Sequence, residues 1–227
     1  MVSIIVMSQK TAIILGGTGL TGSLLLKRLL ADNSYSGIKL FSRMASGNNS
    51  PKVEEFVGDM LQMGQFREDF TGDEVFCCIG TTSAKTKERT IYRAIDYGIP
   101  VAAARLAKAN NIPTFVVMSS MGASVKSRIF YSRTKGEMEE AVLDQAIPHT
   151  YILRPSLILG DRNEKRFGES AGAVFLRLAR IFLYGSMKKY RAIHADSIAA
   201  AMIRISKTLP DLQIVNSDVI QEFADRQ

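Results

Sequence analysis

The chain has 227 residues, of which 46% are hydrophobic, and it carries a net charge of +7 with a pI ≈ 9.5. This size and apolar content predict one compact domain over residues 1–227 with a buried core. The lysines and arginines are dispersed and are not interleaved with exposed aromatic side chains, so a nucleic acid partner is not expected. A cleft for an anionic cofactor would account for part of the excess charge.

Targeting signals and cysteine chemistry are not indicated by the sequence. The apolar run in residues 1–9 is too short to span a bilayer and lacks a charged n-region and a cleavage site, so a cytoplasmic protein is expected. Cys77 and Cys78 are neighbours on a predicted buried strand and point to opposite faces, so no disulfide is expected between them. Neither His149 nor His194 has a cysteine or carboxylate at ligand spacing, and no metal site is predicted.

Short apolar runs alternate with longer helical patterns along the chain, which predicts an α/β fold with a doubly wound parallel sheet. We expect a cofactor-binding part over about 10–155 and a small C-terminal substrate lobe over about 156–227. The strands are predicted at 11–15, 38–42, 53–57, 74–79, 114–118, 150–154 and 212–216. The helices are predicted near 20–31, 61–69, 90–97, 100–110, 131–145 and 195–206, the last with Asp196 or Ser197 as its N-cap.

A glycine-rich turn follows the first predicted strand. Gly16, Gly17, Gly19 and Gly22 give two overlapping patterns, G-x-x-G-x-x-G and G-x-G-x-x-G, and an apolar helical run comes next. Glycine reaches the backbone angles of a sharp turn, and its bare backbone lets a pyrophosphate approach the free N–H groups of the helix start. A turn without a ligand is the alternative, but the strand before it and the helix after it favour dinucleotide binding.

The ends of the next two strands indicate which dinucleotide binds. Ser42 and Arg43 follow strand two, where a carboxylate would favour NAD, whereas an arginine can hold a 2′-phosphate. This predicts NADP(H), with a solvated surface arginine as the alternative. Gly58 and Asp59 follow strand three, and the Asp59 carboxylate can accept from the exocyclic amino group of adenine. An ordinary aspartate helix cap is the alternative.

The later strand ends carry groups suited to catalysis. Gly80, Thr81 and Thr82 follow strand four and allow the backbone to approach the ribose and nicotinamide closely, with a plain turn as the alternative. Ser119–Ser120 ends strand five. Tyr131 and Lys135 lie on one helix face at i, i+4, where the ammonium would lower the pKa of the phenol and make it a usable acid or base. A serine hydroxyl from the adjacent strand end can hold a substrate oxygen. The predicted catalytic residues are therefore Tyr131, Lys135 and Ser120.

Residues 171–191 mix apolar and basic side chains at helical spacing. A helix that covers the substrate pocket or pairs subunits is favoured over one that lies on a membrane surface. A homodimer and a different protein partner are both open alternatives.

These motifs occur together and in order, and they resemble those of the atypical short-chain dehydrogenases/reductases. The matching segments are Gly16–Gly22, Ser119–Ala123, Tyr131–Glu137 and Leu153–Ser156. More narrowly, the chain is similar to the Tat-interactive oxidoreductase family, to which Val75–Thr82 and Leu159–Arg162 add support. The resemblance covers about residues 11–206.

The resemblance implies a Rossmann fold that binds NADPH and acts on a small carbonyl or alcohol substrate. The implied cofactor contacts are Gly16, Thr18, Gly19, Leu20 and Thr21 for the pyrophosphate, Arg43 with Ser42 for the 2′-phosphate, Asp59 with Met60 for adenine, Gly80, Thr81, Ser119 and Lys135 along the cofactor, and Pro155 and Ser156 for the nicotinamide. Tyr131 and Lys135 would be the acid/base pair, with Ser120 or Ser119 as the third member. Position 156 departs from the glycine usual in the family. A regulatory or redox-sensing NADP(H)-binding protein without turnover is the alternative function.

Overall fold

The computed structural model describes residues 9–81, 86–160 and 185–226. The strands are β1 Lys10–Leu15, β2 Tyr35–Ser42, β3 Val53–Val57, β4 Glu74–Cys77, β5 Thr114–Met118, β6 His149–Arg154, β7 Ile158–Leu159, β8 Ile193–His194 and β9 Ile214–Asn216. Seven of them form one parallel sheet in the order β3-β2-β1-β4-β5-β6-β9, and β7 pairs with β8 in a small second sheet. This order confirms the predicted doubly wound sheet.

The helices are α1 Leu20–Ala31, α2 Arg89–Arg93, α3 Ile99–Ala109, α4 Phe130–Leu143, α5 Ala195–Thr208 and α6 Ser217–Asp225. Two 3₁₀ helices cover Met60–Phe66 and Gly185–Tyr190, so the helix predicted at 61–69 is a shorter, tighter element. A π-helical turn, Ala94–Gly98, joins α2 to α3 where two separate helices were expected.

Both faces of the sheet are covered, as a parallel sheet requires. On one face, Ile14 and Phe76 pack with residues of α1 and α5, while on the other Ile13 and Phe115 pack with residues of α3 and α4. The C-terminal region contributes to this core, because β9 pairs with β6 and α5 packs against α1. This part of the predicted substrate lobe is therefore continuous with the main sheet.

The predicted N-cap of the penultimate helix is wrong. α5 begins at Ala195 and is capped by His194, which makes no side-chain cap hydrogen bond. Asp196 lies in the first turn of the helix and accepts two hydrogen bonds from the Arg28 guanidinium, at 2.8 and 2.6 Å. The cross-helix ion pair to α1 thus uses the carboxylate that was expected to cap the helix.

Candidate nucleotide-binding and active site

The turn between β1 and α1 has no room for a side chain at its last glycine. Gly16 has a φ of +82°, and the Gly19 N–H donates to the Gly16 carbonyl at 3.0 Å. A Cβ placed on Gly22 would overlap the Gly16 carbonyl oxygen and lie 2.8 Å from its carbon. The sequence positions of the glycines are therefore dictated by contact between the helix and the turn that precedes it.

This turn leaves backbone donors free at the start of α1. Gly19 is the N-cap residue, and the first intrahelical bond runs from the Ser23 N–H to the Gly19 carbonyl at 2.8 Å. The N–H groups of Leu20 and Thr21 therefore have no acceptor within the helix, and the helix dipole favours an anion beside them. A glycine-rich turn with open backbone donors suits a pyrophosphate, and Thr18 lies exposed on the same turn.

The residues predicted to contact the adenosine half lie at the carboxyl ends of β2 and β3. Arg43 is exposed directly after β2 and makes no ion pair with any residue that the structure describes, so its guanidinium is available for a phosphate. Asp59 caps the 3₁₀ helix by accepting from the Leu61 N–H at 2.9 Å, so it has the helix-capping role that was the alternative to an adenine contact. The Met60 side chain is buried in the core, so only its backbone can face a ligand.

A buried ion pair lies at the carboxyl ends of β4 and β5. The Lys135 ammonium lies 2.9 Å from Oδ1 of Asp96, and it also donates to the Met118 carbonyl at 3.3 Å. Asp96 Oδ2 accepts from the Thr81 N–H at 2.7 Å. A Cβ built on Gly80 would lie 3.8 Å from the Lys135 ammonium, so the Gly80 backbone passes beside the pair. The predicted residues Gly80, Thr81 and Lys135 are thus brought together by a carboxylate that the sequence analysis missed.

Two tyrosines lie next to this ion pair. Tyr131 is one turn before Lys135 on α4 and is partly exposed, and its ring centroid is 6.1 Å from that of the buried Tyr92. The Tyr92 hydroxyl has no hydrogen-bond partner in residues 9–81, 86–160 and 185–226. Burial, and then the charge of Asp96, raise the pKa of Tyr92, so it stays protonated. Tyr131 is therefore the tyrosine that can reach a substrate.

The pattern around Asp96 could have revealed it in the sequence. Tyr92, Asp96, Ile99 and Ala103 recur at helical spacing, and all four are buried. A carboxylate on such an apolar face requires a partner, which is a reason to search for a buried cation.

The structure distinguishes the two serines at the end of β5. The Ser119 hydroxyl donates to Glu139, and the Ser119 N–H donates to the Leu153 carbonyl at 2.8 Å. Both donors of Ser119 are engaged, which disfavours its predicted cofactor contact. The Ser120 Oγ is buried, and it has no hydrogen-bond partner in the described part of the chain. Of the two serines, Ser120 is therefore the one whose hydroxyl has no competing partner among the described residues.

Ser156 connects the end of β6 to the C-terminal region. Its hydroxyl donates to the Arg191 carbonyl and accepts from the Ser217 hydroxyl at 3.0 Å. These bonds explain a serine at this position, because glycine could make neither of them. The Pro155 carbonyl accepts from the Met121 N–H at 2.9 Å. The nicotinamide contact predicted for Pro155 and Ser156 stays a prediction.

Several predictions fall partly or wholly outside the described residues. Thr82 lies outside them, as does most of the basic apolar segment 171–191, of which 185–191 is described. No helix within the described ranges is long and apolar enough to cross a membrane. Burial raises the pKa of the Cys77 thiol to about 11, so this cysteine is not a reactive thiolate.

The chain matches a family model described as NAD(P)H-binding over residues 16–207. The FMP52, mitochondrial protein of Lodderomyces elongisporus is 34% identical over 183 residues, covering 76% of this chain and 77% of that protein. Its counterpart from Candida glabrata is 30% identical over 96% of this chain and 97% of its own length. Protein HTATIP2 of Rattus norvegicus is 35% identical, covering 72% of this chain and 69% of that protein.

Solved structures share the fold at low sequence identity. The enzyme WbmH of Bordetella bronchiseptica, solved with NAD+, has a TM-score of 0.69 at 15% identity, covering 96% of this chain and 80% of that chain. The UDP-glucose 4-epimerase of Thermotoga maritima has a TM-score of 0.68 at 16% identity, covering 96% and 84%. At these identities the likeness concerns the fold alone.

The relatives overturn one prediction and establish the family. The cytoplasmic location expected here is contradicted by the fungal relatives, which are named mitochondrial proteins. The expectation failed because it relied on the absence of a recognisable signal, and organelle addresses are read by receptors rather than set by an apolar span. The family match and these relatives agree with the glycine turn and the sheet order. The chain is a nucleotide-binding, oxidoreductase-like protein that binds a nicotinamide cofactor, and it belongs to the NAD(P)H-binding Rossmann family, among the atypical short-chain dehydrogenases/reductases that include FMP52 and HTATIP2.

Proposed function

We propose that this chain is an NADP(H)-dependent oxidoreductase that acts on a small carbonyl or alcohol substrate. The observation that carries the proposal is the placement of Tyr131 one turn from the buried Lys135 ammonium, near the strand end that holds Ser120. The Ser120 hydroxyl has no partner within the described residues. The cofactor, when bound, supplies hydride exchange at its nicotinamide. The residues of the chain supply proton transfer and substrate orientation.

Each of the three side chains has a distinct chemical role. The Tyr131 hydroxyl gives a proton to the substrate oxygen during reduction and takes it back during oxidation. The positive charge of Lys135 stabilises the phenolate that forms when the proton has left. The Ser120 hydroxyl donates to the same substrate oxygen and fixes its position.

Replacing Tyr131 with Phe tests the catalytic proposal. The ring and its packing against Tyr92 are kept while the proton donor is lost, so turnover is expected to fall by at least about 100-fold. NADPH oxidation over a panel of small carbonyls measures this, with NADPH binding measured on the same samples. Unchanged turnover in a variant that still binds NADPH would exclude the role of Tyr131.

Arg43 is proposed to select the phosphorylated dinucleotide. Because its guanidinium is exposed and unpaired among the described residues, Arg43→Ser should weaken NADPH binding by about tenfold, the size of a charged hydrogen bond. NADH, which lacks the 2′-phosphate, should bind the variant and the wild type alike. Arg67→Ser, at the C-terminal end of the 3₁₀ helix, removes the same charge elsewhere and should change neither affinity. Equal losses for NADPH and NADH would contradict the assignment.

A redox-sensing protein without turnover is the second candidate. It is favoured by one observation, which is that the Asp96 carboxylate offsets part of the positive charge that Lys135 would exert on Tyr131. This function predicts tight NADPH binding with no turnover over the whole carbonyl panel. The carbonyl panel measured for Tyr131→Phe also distinguishes the two functions, because wild-type turnover is expected of the oxidoreductase and not of the sensor.

A further inference from the structure

Asp96 is fully buried, and both of its carboxylate oxygens face groups of the proposed cofactor site. Oδ1 faces the Lys135 ammonium at 2.9 Å, and Oδ2 accepts from the Thr81 N–H at 2.7 Å. Lys135 comes from α4 and Thr81 from the loop after β4. The Asp96 side chain therefore bridges α4 and the loop after β4, two segments that are far apart in the sequence, and sets the distance between them.

The local backbone explains how a carboxylate reaches this position. Pro100 has no N–H and would crowd the carbonyl of residue 96 in a regular α-helix. The backbone instead forms the π turn, in which the Ile99 N–H donates to the Ala94 carbonyl. Turns of this kind are rare and occur frequently at functional sites.

Stability alone is a weak reason for this arrangement. Burying two charges is costly, and well-packed apolar side chains of similar volume often stabilise a protein as well or better. Only 4% of the Lys135 side chain and none of the Asp96 side chain is exposed. A cost of this kind is expected where a site must be held in one geometry.

We propose that Asp96 is a positioning residue for the nicotinamide half of the cofactor. It holds the ammonium of Lys135 and the backbone of Gly80–Thr81 at a fixed separation, so that both meet the ribose next to the nicotinamide. It plays no part in binding the adenosine half, which lies at the ends of β2 and β3. This inference rests on the proposed NADP(H) function.

The test compares a whole cofactor with its adenosine half. Asp96→Asn keeps the size of the side chain but removes the charge that holds Lys135. The dissociation constant of NADPH should rise by at least about tenfold, as for loss of a charged hydrogen bond. That of 2′,5′-ADP, which has no nicotinamide half, should stay within about twofold of the wild type, a change under 0.5 kcal/mol. Asp144→Asn, an exposed change of the same charge just after α4, is the matched control and should alter neither constant.

Each outcome decides the proposal. Loss of NADPH affinity with 2′,5′-ADP affinity kept would support it, and equal changes or no change in a folded variant would overturn it. If Asp96→Asn does not fold, Asp96→Glu keeps the charge but is one methylene too long for both contacts. The dissociation constant of NADPH should then rise by a smaller factor, with that of 2′,5′-ADP again unchanged. Equal changes in the two constants would overturn the proposal. A wild-type chain that binds 2′,5′-ADP but not NADPH would also overturn it, whereas one that binds neither would overturn the proposed function itself.

Discussion

Gly22→Ala is expected to destroy the turn between β1 and α1 that we propose holds the pyrophosphate. The added methyl group would overlap the Gly16 carbonyl oxygen, and since that atom belongs to the backbone, no side-chain rotation can relieve the clash. The turn must open, which separates the start of α1 from the end of β1. We expect the free energy of unfolding to fall by about 3 kcal/mol and the dissociation constant of NADPH to rise by at least about 100-fold.

Chemical denaturation and NADPH titration measure the two effects on the same variant. Gly64→Ala is the matched control, because a Cβ at Gly64 would meet nothing within 4 Å. This control should change the free energy of unfolding by less than about 1 kcal/mol and leave NADPH binding intact. A folded Gly22→Ala protein that binds NADPH like the wild type would show that the turn does not bind the pyrophosphate.

Glu139→Leu is expected to be the second most damaging change. Glu139 accepts from the Arg154 guanidinium through both of its oxygens and also from the Ser119 hydroxyl, and only 4% of its side chain is exposed. Its loss leaves Arg154 unpaired and the Ser119 hydroxyl without its acceptor, next to Ser120 in the chain. Because the Arg154 side chain is 25% exposed, we expect a cost of about 3 kcal/mol, at the low end for a broken buried pair.

Two further variants separate charge loss from loss of packing. Glu137→Leu removes a carboxylate from the same helix, but that carboxylate pairs with Arg93 at the surface, so the expected cost is about 1 kcal/mol or less. The double variant Glu139→Leu with Arg154→Leu leaves no unpaired charge and should recover part of the lost stability. Thermal unfolding midpoints measure all three, and equal losses for Glu137→Leu and Glu139→Leu would contradict this assignment.

Local sequence patterns predicted the sheet well. Apolar runs bounded by glycine, proline and polar residues located every strand of the main sheet to within a few residues. β2 is the largest discrepancy, because it begins at Tyr35 rather than at 38. Tyr35 is buried and its hydroxyl donates to Glu74, so a distant contact extends the strand through Gly37.

The groups that the sequence did not predict are those whose role depends on a distant partner. In the sequence Asp96 is only a polar residue in a helical segment. Its role becomes visible when the fold places Lys135 and Thr81 beside it. The choice between Ser119 and Ser120 depends on Glu139, which is far along the chain. Asp196 has the residue type and place of a helix cap, but the position of Arg28 on α1 determines its use.

Direct titration of the wild-type chain with NADPH is the measurement closest to the central claim. The glycine turn, the open donors at the start of α1 and Arg43, which pairs with no acidic residue in the described ranges, predict saturable binding at one site per chain, with NADPH bound more tightly than NADH. Tighter binding of NADH would contradict the role of Arg43. A chain that is folded but shows no saturable binding of either dinucleotide would contradict the nucleotide site itself.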